Sequence, residues 1–406
     1  MNTLWHFRFC SQHCARFYSS GAPVYALKPL RIVQTALQRR YAVLGTPLTQ
    51  GISRHTTQRV GWWLLGCSGL VFVGVVLGGT TRLTESGLSM TNWHIIKGMK
   101  PPLKQEAWLM EFERYKSYPE YEYKVLRDGR DMTLNEFKFI WLMEYAHRMW
   151  GRTIGLAFLL PAGYFWARSY FNSAMKKRIV FAGGLIVFQG LLGWYMVKSG
   201  LKPEENSESI PRVSQYRLAA HLSTAFVLYT VLLWSGLSHV LKPADHTKIP
   251  KIGLLRGMAH LSKTFIFSTA VMGAFVAGLD AALTYNSWPK FADRWIPTDL
   301  WAKSPAWKNF TENPTMVQFV HRTLAYASLA GISTVWLIGR RMPLPARTRM
   351  ALNCLLVSGY AQVGLGIGAL LYYVPVWLCA LHQSGSLVVL TFAFWLTNEI
   401  RRFPVK

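Results

Sequence analysis

The stretch WLMEYAHRMWGR, Trp141 to Arg152, places a carboxylate (Glu144), an imidazole (His147) and a guanidinium (Arg148) inside an otherwise apolar run. At i, i+3 and i+4 the three share one helix face. Each is costly in hydrocarbon, so three together mark a functional site. A weaker copy recurs as Gln318, His321 and Arg322, and a further histidine follows each copy, His221 and His382.

The surrounding composition is that of a membrane protein. Of 406 residues, 51% are hydrophobic and only 16% are charged, a low charge content for a soluble chain of this size. Eight apolar runs long enough to span a bilayer are predicted, at 60–81, 139–165, 179–197, 218–241, 260–283, 317–338, 351–373 and 376–397. The formal net charge of +26 does not point to nucleic acid, because the basic residues are not gathered into a binding module. Eight of them lie in residues 1–59, where no Asp or Glu occurs. That Arg-rich, Ser-containing, acid-free leader reads as a mitochondrial transit peptide, continuing into a basic matrix-side arm. The cysteines indicate no disulfide framework: Cys10 and Cys14 fall in the leader, and Cys67, Cys354 and Cys379 in apolar runs.

Charge orients the runs. Arg168, Lys176, Lys177 and Arg178 follow run two; Lys242, Lys248, Lys251 and Arg256 lie around the next such connection, with Asp245 as its one acid. Arg340, Arg341, Arg347 and Arg349 follow run six, and Arg401, Arg402 and Lys406 follow run eight. Residues 83–138, in contrast, hold nine acids and nine bases. The positive-inside rule puts the basic connections and both termini in the matrix. His147, His221, His321 and His382 then lie early in runs two, four, six and eight, all at similar depth near the intermembrane-space side. Four histidines that agree in this way read as axial ligands of two haems.

The chain also repeats. Runs one to four and five to eight form two four-helix units of the same orientation. Gln189 and Gln362 precede Gly-rich stretches in runs three and seven, and Glu85–Trp93 and Asp280–Trp288 have equal separations. A small residue stands one turn after each histidine (Gly151, Ala225, Ala325, Ser386), leaving room for a flat ring edge. Arg148 and Arg322 are candidates to pair with haem propionates. The copies differ in one respect: Glu144 can ionise and Gln318 cannot. One reactive site and one electron-relay site would need that difference.

GGTTRLTESGLSMTNW from Gly78, KGMKPPL from Lys97, EYAHRMWGR from Glu144 and AGLDAALTYNSWP from Ala277, with the paired histidines, resemble the haem A synthase family over roughly residues 60 to 400. The resemblance implies oxidation of the C8 methyl of haem O to a formyl group through a hydroxymethyl intermediate. It implies substrate haem between His147 and His221 with Arg148, a haem b cofactor between His321 and His382 with Arg322, and Glu144 as the essential carboxylate. The organisation expected is residues 1–58 as leader and arm, 59–245 as the substrate half and 246–406 as the haem b half. Partners implied are haem O synthase, cytochrome c oxidase assembly factors, a ferredoxin-type electron donor and the lipid bilayer; the resemblance also admits a homo-oligomer. Some bacterial members carry an outer-loop cysteine pair, which this chain lacks. Two rival readings follow from the residues alone. One is a bis-His dihaem electron-transfer cytochrome, against which Glu144/Gln318 argues. The other is a two-repeat transporter, whose midplane site does not match polar groups clustered toward one face.

Overall fold

The computed structural model describes residues 53–93, 99–201, 213–242 and 244–401. The basic leader, most of the connection after Lys198, Lys97 with Gly98, and the chain beyond Arg401 lie outside the described residues.

Eleven α-helices occur among the described residues: α1 (Arg54–Leu83), α2 (Gln105–Lys116), α3 (Pro119–Asp128), α4 (Leu134–Ala167), α5 (Ser173–Gly200), α6 (Gln215–Val240), α7 (Ile252–Gly278), α8 (Asn309–Glu312), α9 (Pro314–Gly339), α10 (Ala346–Leu371) and α11 (Val376–Glu399). Local sequence starts them. Ser53 and Asn172 cap α1 and α5 by accepting from Thr56 and Met175 amides. Thr133 and Glu136 form a reciprocal capping box on α4. Asn313 caps α9, with Pro314 at its first position.

The protein is an all-helical integral membrane protein. Six of the eight long helices are long and apolar enough to cross a bilayer. The other two are α4 and α9, which carry the Glu144 and Gln318 triads. The fifth expected run, 260–283, is corrected to Ile252–Gly278. It stops early because Asp280 adopts a left-handed conformation (φ 52°) and Ala281–Leu283 forms a separate 3-10 turn; the apolar side chains of that turn carried the hydropathy signal past the true end. Residues 83–138, read as a connection, contain α2 and α3 and the start of α4.

Helices α1, α4, α5 and α6 pack in a ring, each touching its two neighbours, and α7, α9, α10 and α11 repeat it. The rings meet where α6 touches α7 and α11 touches α1 and α6. Their shared core runs from Val60, Leu64 and Phe226 to Leu255, Leu355 and Leu390. The repeat extends to backbone anomalies: Glu85 (φ 49°) and Asp280 (φ 52°), at matched positions, are both left-handed. In the first half, α2 and α3 form a cap with its own core of Phe112, Tyr115, Phe137, Ile140 and Trp141.

Candidate haem-binding site

All four histidines are brought together in two pairs, one per ring. The ring centres of His147 and His221 are 6.5 Å apart at an interplanar angle of 84°. Those of His321 and His382 are 6.4 Å apart at 81°. With metal–imidazole bonds of about 2.0 Å and about 1.1 Å from nitrogen to ring centre, two imidazoles on opposite faces of one iron stand about 6.2 Å apart. The residues therefore fit a six-coordinate haem in each half.

The four rings share one further feature that sequence reasoning missed: each lies against a glycine of a neighbouring helix. A Cβ at Gly78 would sit 2.9 Å from His147 Nε2, and one at Gly193 would sit 3.7 Å from His221 Cε1. The corresponding distances are 3.2 Å from Gly273 to His321 Cε1 and 2.7 Å from Gly366 to His382 Cε1. Gly78 and Gly273 occupy matched positions ahead of Glu85 and Asp280, and Gly193 and Gly366 matched positions after Gln189 and Gln362. The repeat register was the available signal. Among so many small residues in membrane helices, it did not single these out without knowing which faces met.

One cavity of about 1330 Å³ touches both histidine pairs, larger than the usual drug-sized pocket. Gly151, Ala225, Ala325 and Ser386 all border it, as does Glu144. No side chain stands within 4 Å of a Cβ built on Gly151, so that wall is open to a flat group.

The outer contacts of the two pairs differ. His321 Nδ1 is 3.0 Å from the Thr269 carbonyl and His382 Nδ1 is 3.2 Å from the Gln362 carbonyl. Donation from Nδ1–H fixes the tautomer that leaves Nε2 free for a metal. In the first half, His221 Nδ1 is buried without a hydrogen-bond partner among the described residues. The matched glutamines brace the second histidine of each pair: Gln189 donates to the His221 carbonyl at 3.0 Å, and Gln362 to the His382 carbonyl at 2.8 Å.

Glu144 and Arg148 form a buried ion pair at 2.5 Å. Glu144, only 2% exposed, also accepts from Ser89 Oγ and the Met90 amide, both at 2.7 Å. Arg148 donates to the carbonyls of Met90 and Asn92 and lies over the Trp93 ring. Trp93 in turn lies near Gly193, the glycine behind His221. Together they clamp the Ser89–Trp93 segment beside the first histidine pair. In the second half, Arg322 donates to the Tyr285 carbonyl and to Gln318 Oε1, while Gln318 donates to the same Tyr285 carbonyl. The chemistry of the clamped segment accounts for Glu against Gln. Glu144 meets donors only, whereas Gln318 meets a carbonyl that needs an N–H. Both arginines are already engaged by protein groups, so propionate pairing would have to share them.

A family model described as "Cytochrome oxidase assembly protein" (COX15-CtaA) matches residues 61–394. The chain is 54% identical over 383 residues to "Heme A synthase COX15" of Homo sapiens, covering 93% of this chain and 91% of that protein. It is 38% identical to "Heme A synthase COX15" of Saccharomyces cerevisiae, covering 93% and 82%. It is also 42% identical to "Heme A synthase" of Rhodospirillum centenum, covering 86% and 90%. With two perpendicular histidine pairs on one cavity and similarity along almost its whole length, the chain belongs to the haem A synthase family of cytochrome oxidase assembly proteins.

Proposed function

We propose that this chain oxidises the C8 methyl of haem O to a formyl group in its first half, using a haem b held in its second. The observation that carries the reading is the pair of perpendicular histidine couples, each at an iron-spanning distance, on one shared cavity. The unequal outer contacts support the division of labour. A resident cofactor is served by ligands locked through Nδ1, as at His321 and His382; a substrate that must leave is served by a looser ligand, as at His221. Haem b, when bound, supplies one-electron redox chemistry.

The chain's own residues position the substrate. Glu144 and Arg148 hold the Ser89–Trp93 segment, and with it Trp93, against the reactive side. Glu144 also presents a negative charge at the cavity wall, where positive charge developing on the carbon under oxidation is favoured. This makes Glu144 a positioning and electrostatic residue of the reactive half.

The membrane proposed is the mitochondrial inner membrane, with the basic connections and both termini in the matrix. The cap of α2 and α3 then faces the intermembrane space. The physiological setting is cytochrome oxidase assembly; haem O synthase, assembly factors and a ferredoxin-type donor are the partners proposed.

Haem extraction and chromatography of the purified protein, with a product assay for formyl haem, test the reading. Haem b together with haem O or haem A is expected. Haem b alone, with no formyl product, would replace it by an electron-transfer cytochrome.

A further inference from the structure

A second buried ion pair borders the same cavity. Glu120 and Lys124 lie one turn apart on α3, 7% and 6% exposed, with Nζ 3.3 Å from the carboxylate. Tyr115 of α2 donates to Glu120 at 3.2 Å, and Lys124 also donates to the Glu85 carbonyl at 2.8 Å. Glu120, Lys124, Glu85 and Glu144 all border the cavity. Glu85 stands at its rim: its side chain is 44% exposed, and Arg127 holds both carboxylate oxygens.

A cap that only covered the site would not need this pair. Apolar side chains of similar volume are often as stable as a buried ion pair, or more so. The charged groups facing Glu120 are Lys124 on its own helix and Glu144, itself paired with Arg148, on α4; the Tyr115 hydroxyl reaches it from α2. Burial raises the Glu120 carboxyl to about 7, offset by Lys124, with the Glu144 charge adding to the rise and the Tyr115 hydrogen bond opposing it. The carboxyl is thus poised between its two forms near neutral pH, where proton exchange is most effective.

We propose that Glu120 is a proton-relay residue linking the first-half cavity to the outer aqueous phase, with Glu85 at the exit. The proposal rests on the haem A synthase reading above. With the oxygen atom taken from water and the electrons passed to a one-electron acceptor, oxidation of the methyl to a formyl group (R–CH3 + H2O → R–CHO + 4 H+ + 4 e−) releases protons in the cavity, and these must cross its wall during turnover. In the relay, a carboxylate oxygen of Glu120 takes a proton from the cavity side, forming an O–H bond. That bond breaks as the proton passes to water at the rim, and the carboxylate is restored. Lys124, 3.3 Å from the carboxylate, stabilises its ionised form.

The test is haem A formation against pH, from about pH 5.5 to 8.5, in membranes containing the full chain, normalised to bound haem. The wild-type rate should fall as pH drops through about 7, because the protonated carboxyl cannot accept. Glu120→Gln should lower the neutral-pH rate about tenfold or more and flatten that limb, with haem content and visible spectrum unchanged. Glu120→Asp should restore part of the rate, with the limb moved to lower pH. A Gln variant with wild-type rate and profile overturns the relay, and so does a rate loss that only tracks lost haem. If the single variant does not fold, Glu120→Gln with Lys124→Gln leaves no unpaired buried cation and carries the same expectation. Loss of folded protein in both assigns the pair to cap stability and overturns the proposal. No haem A from the wild type overturns the haem A synthase reading itself; product with an unaltered Gln variant overturns only the relay.

Discussion

Replacing Glu144 by Gln gives the first half the side chain that the second half already uses. The consequence follows from the partners. The carboxylate accepts from Ser89 Oγ, the Met90 amide and two nitrogens of Arg148. A glutamine keeps one acceptor oxygen and sets an NH2 group against donors, and it leaves Arg148 buried without its counter-charge. Removing one partner of a buried pair costs about 3–5 kcal/mol. Arg148 keeps the Met90 and Asn92 carbonyls and the Trp93 face, so the low end, about 3 kcal/mol, is the expected cost. At 1.4 kcal/mol per decade that is about a hundredfold increase in opening of the Ser89–Trp93 segment. Hydrogen exchange of the Ser89 and Met90 amides, bonded to the Ser86 carbonyl and to Glu144, should rise by about that factor, while exchange in α9 and α11 is unchanged. Haem A formation should fall with the second-half haem retained. Adding Arg148→Gln removes the unpaired cation but also the donors to the Met90 and Asn92 carbonyls, so exchange of the segment should stay raised in the double variant. Unchanged exchange at Ser89 and Met90 in the single variant, or haem A made at the wild-type rate, would refute the clamp.

Three further outcomes are expected. His321→Ala or His382→Ala should deplete the resident b-type haem, while His147→Ala or His221→Ala should spare most of it and abolish product; equal loss in all four, read by pyridine haemochrome spectra, would remove the separate roles. Gly366→Ala puts a methyl 2.7 Å from His382 Cε1 and should cost about 1–3 kcal/mol by overpacking, with loss of second-half haem absorbance; Gly364→Ala, where nothing stands within 4 Å, is the control. Protease added to mitochondria with the outer membrane removed should cut the 83–138 connection, and cleavage only after the inner membrane is opened would reverse the orientation.

Much of this protein was legible in the sequence. Apolar run length gave the long helices, since a bilayer leaves the backbone few alternatives to helix. The recurrence of Glu-x-x-His-Arg and Gln-x-x-His-Arg gave the repeat, and the position of each histidine in its run gave the pairing, because helices of like direction put like positions at like depth. Tertiary structure decided the rest. The four glycines behind the imidazoles were invisible as a set, because what fixes them is the face each helix turns to its neighbour. The stop of α7 at Gly278 was hidden because a left-handed residue leaves no mark in hydropathy. The sharpest reinterpretation is at Glu144 and Gln318. Residue type alone showed that one can ionise and the other cannot. Which backbone groups oppose them, amide and hydroxyl donors at Ser89 and Met90 but a carbonyl at Tyr285, depends on how each connecting segment folds back over its helix, and hydrogen-bond polarity between distant parts of a chain is set only when they meet.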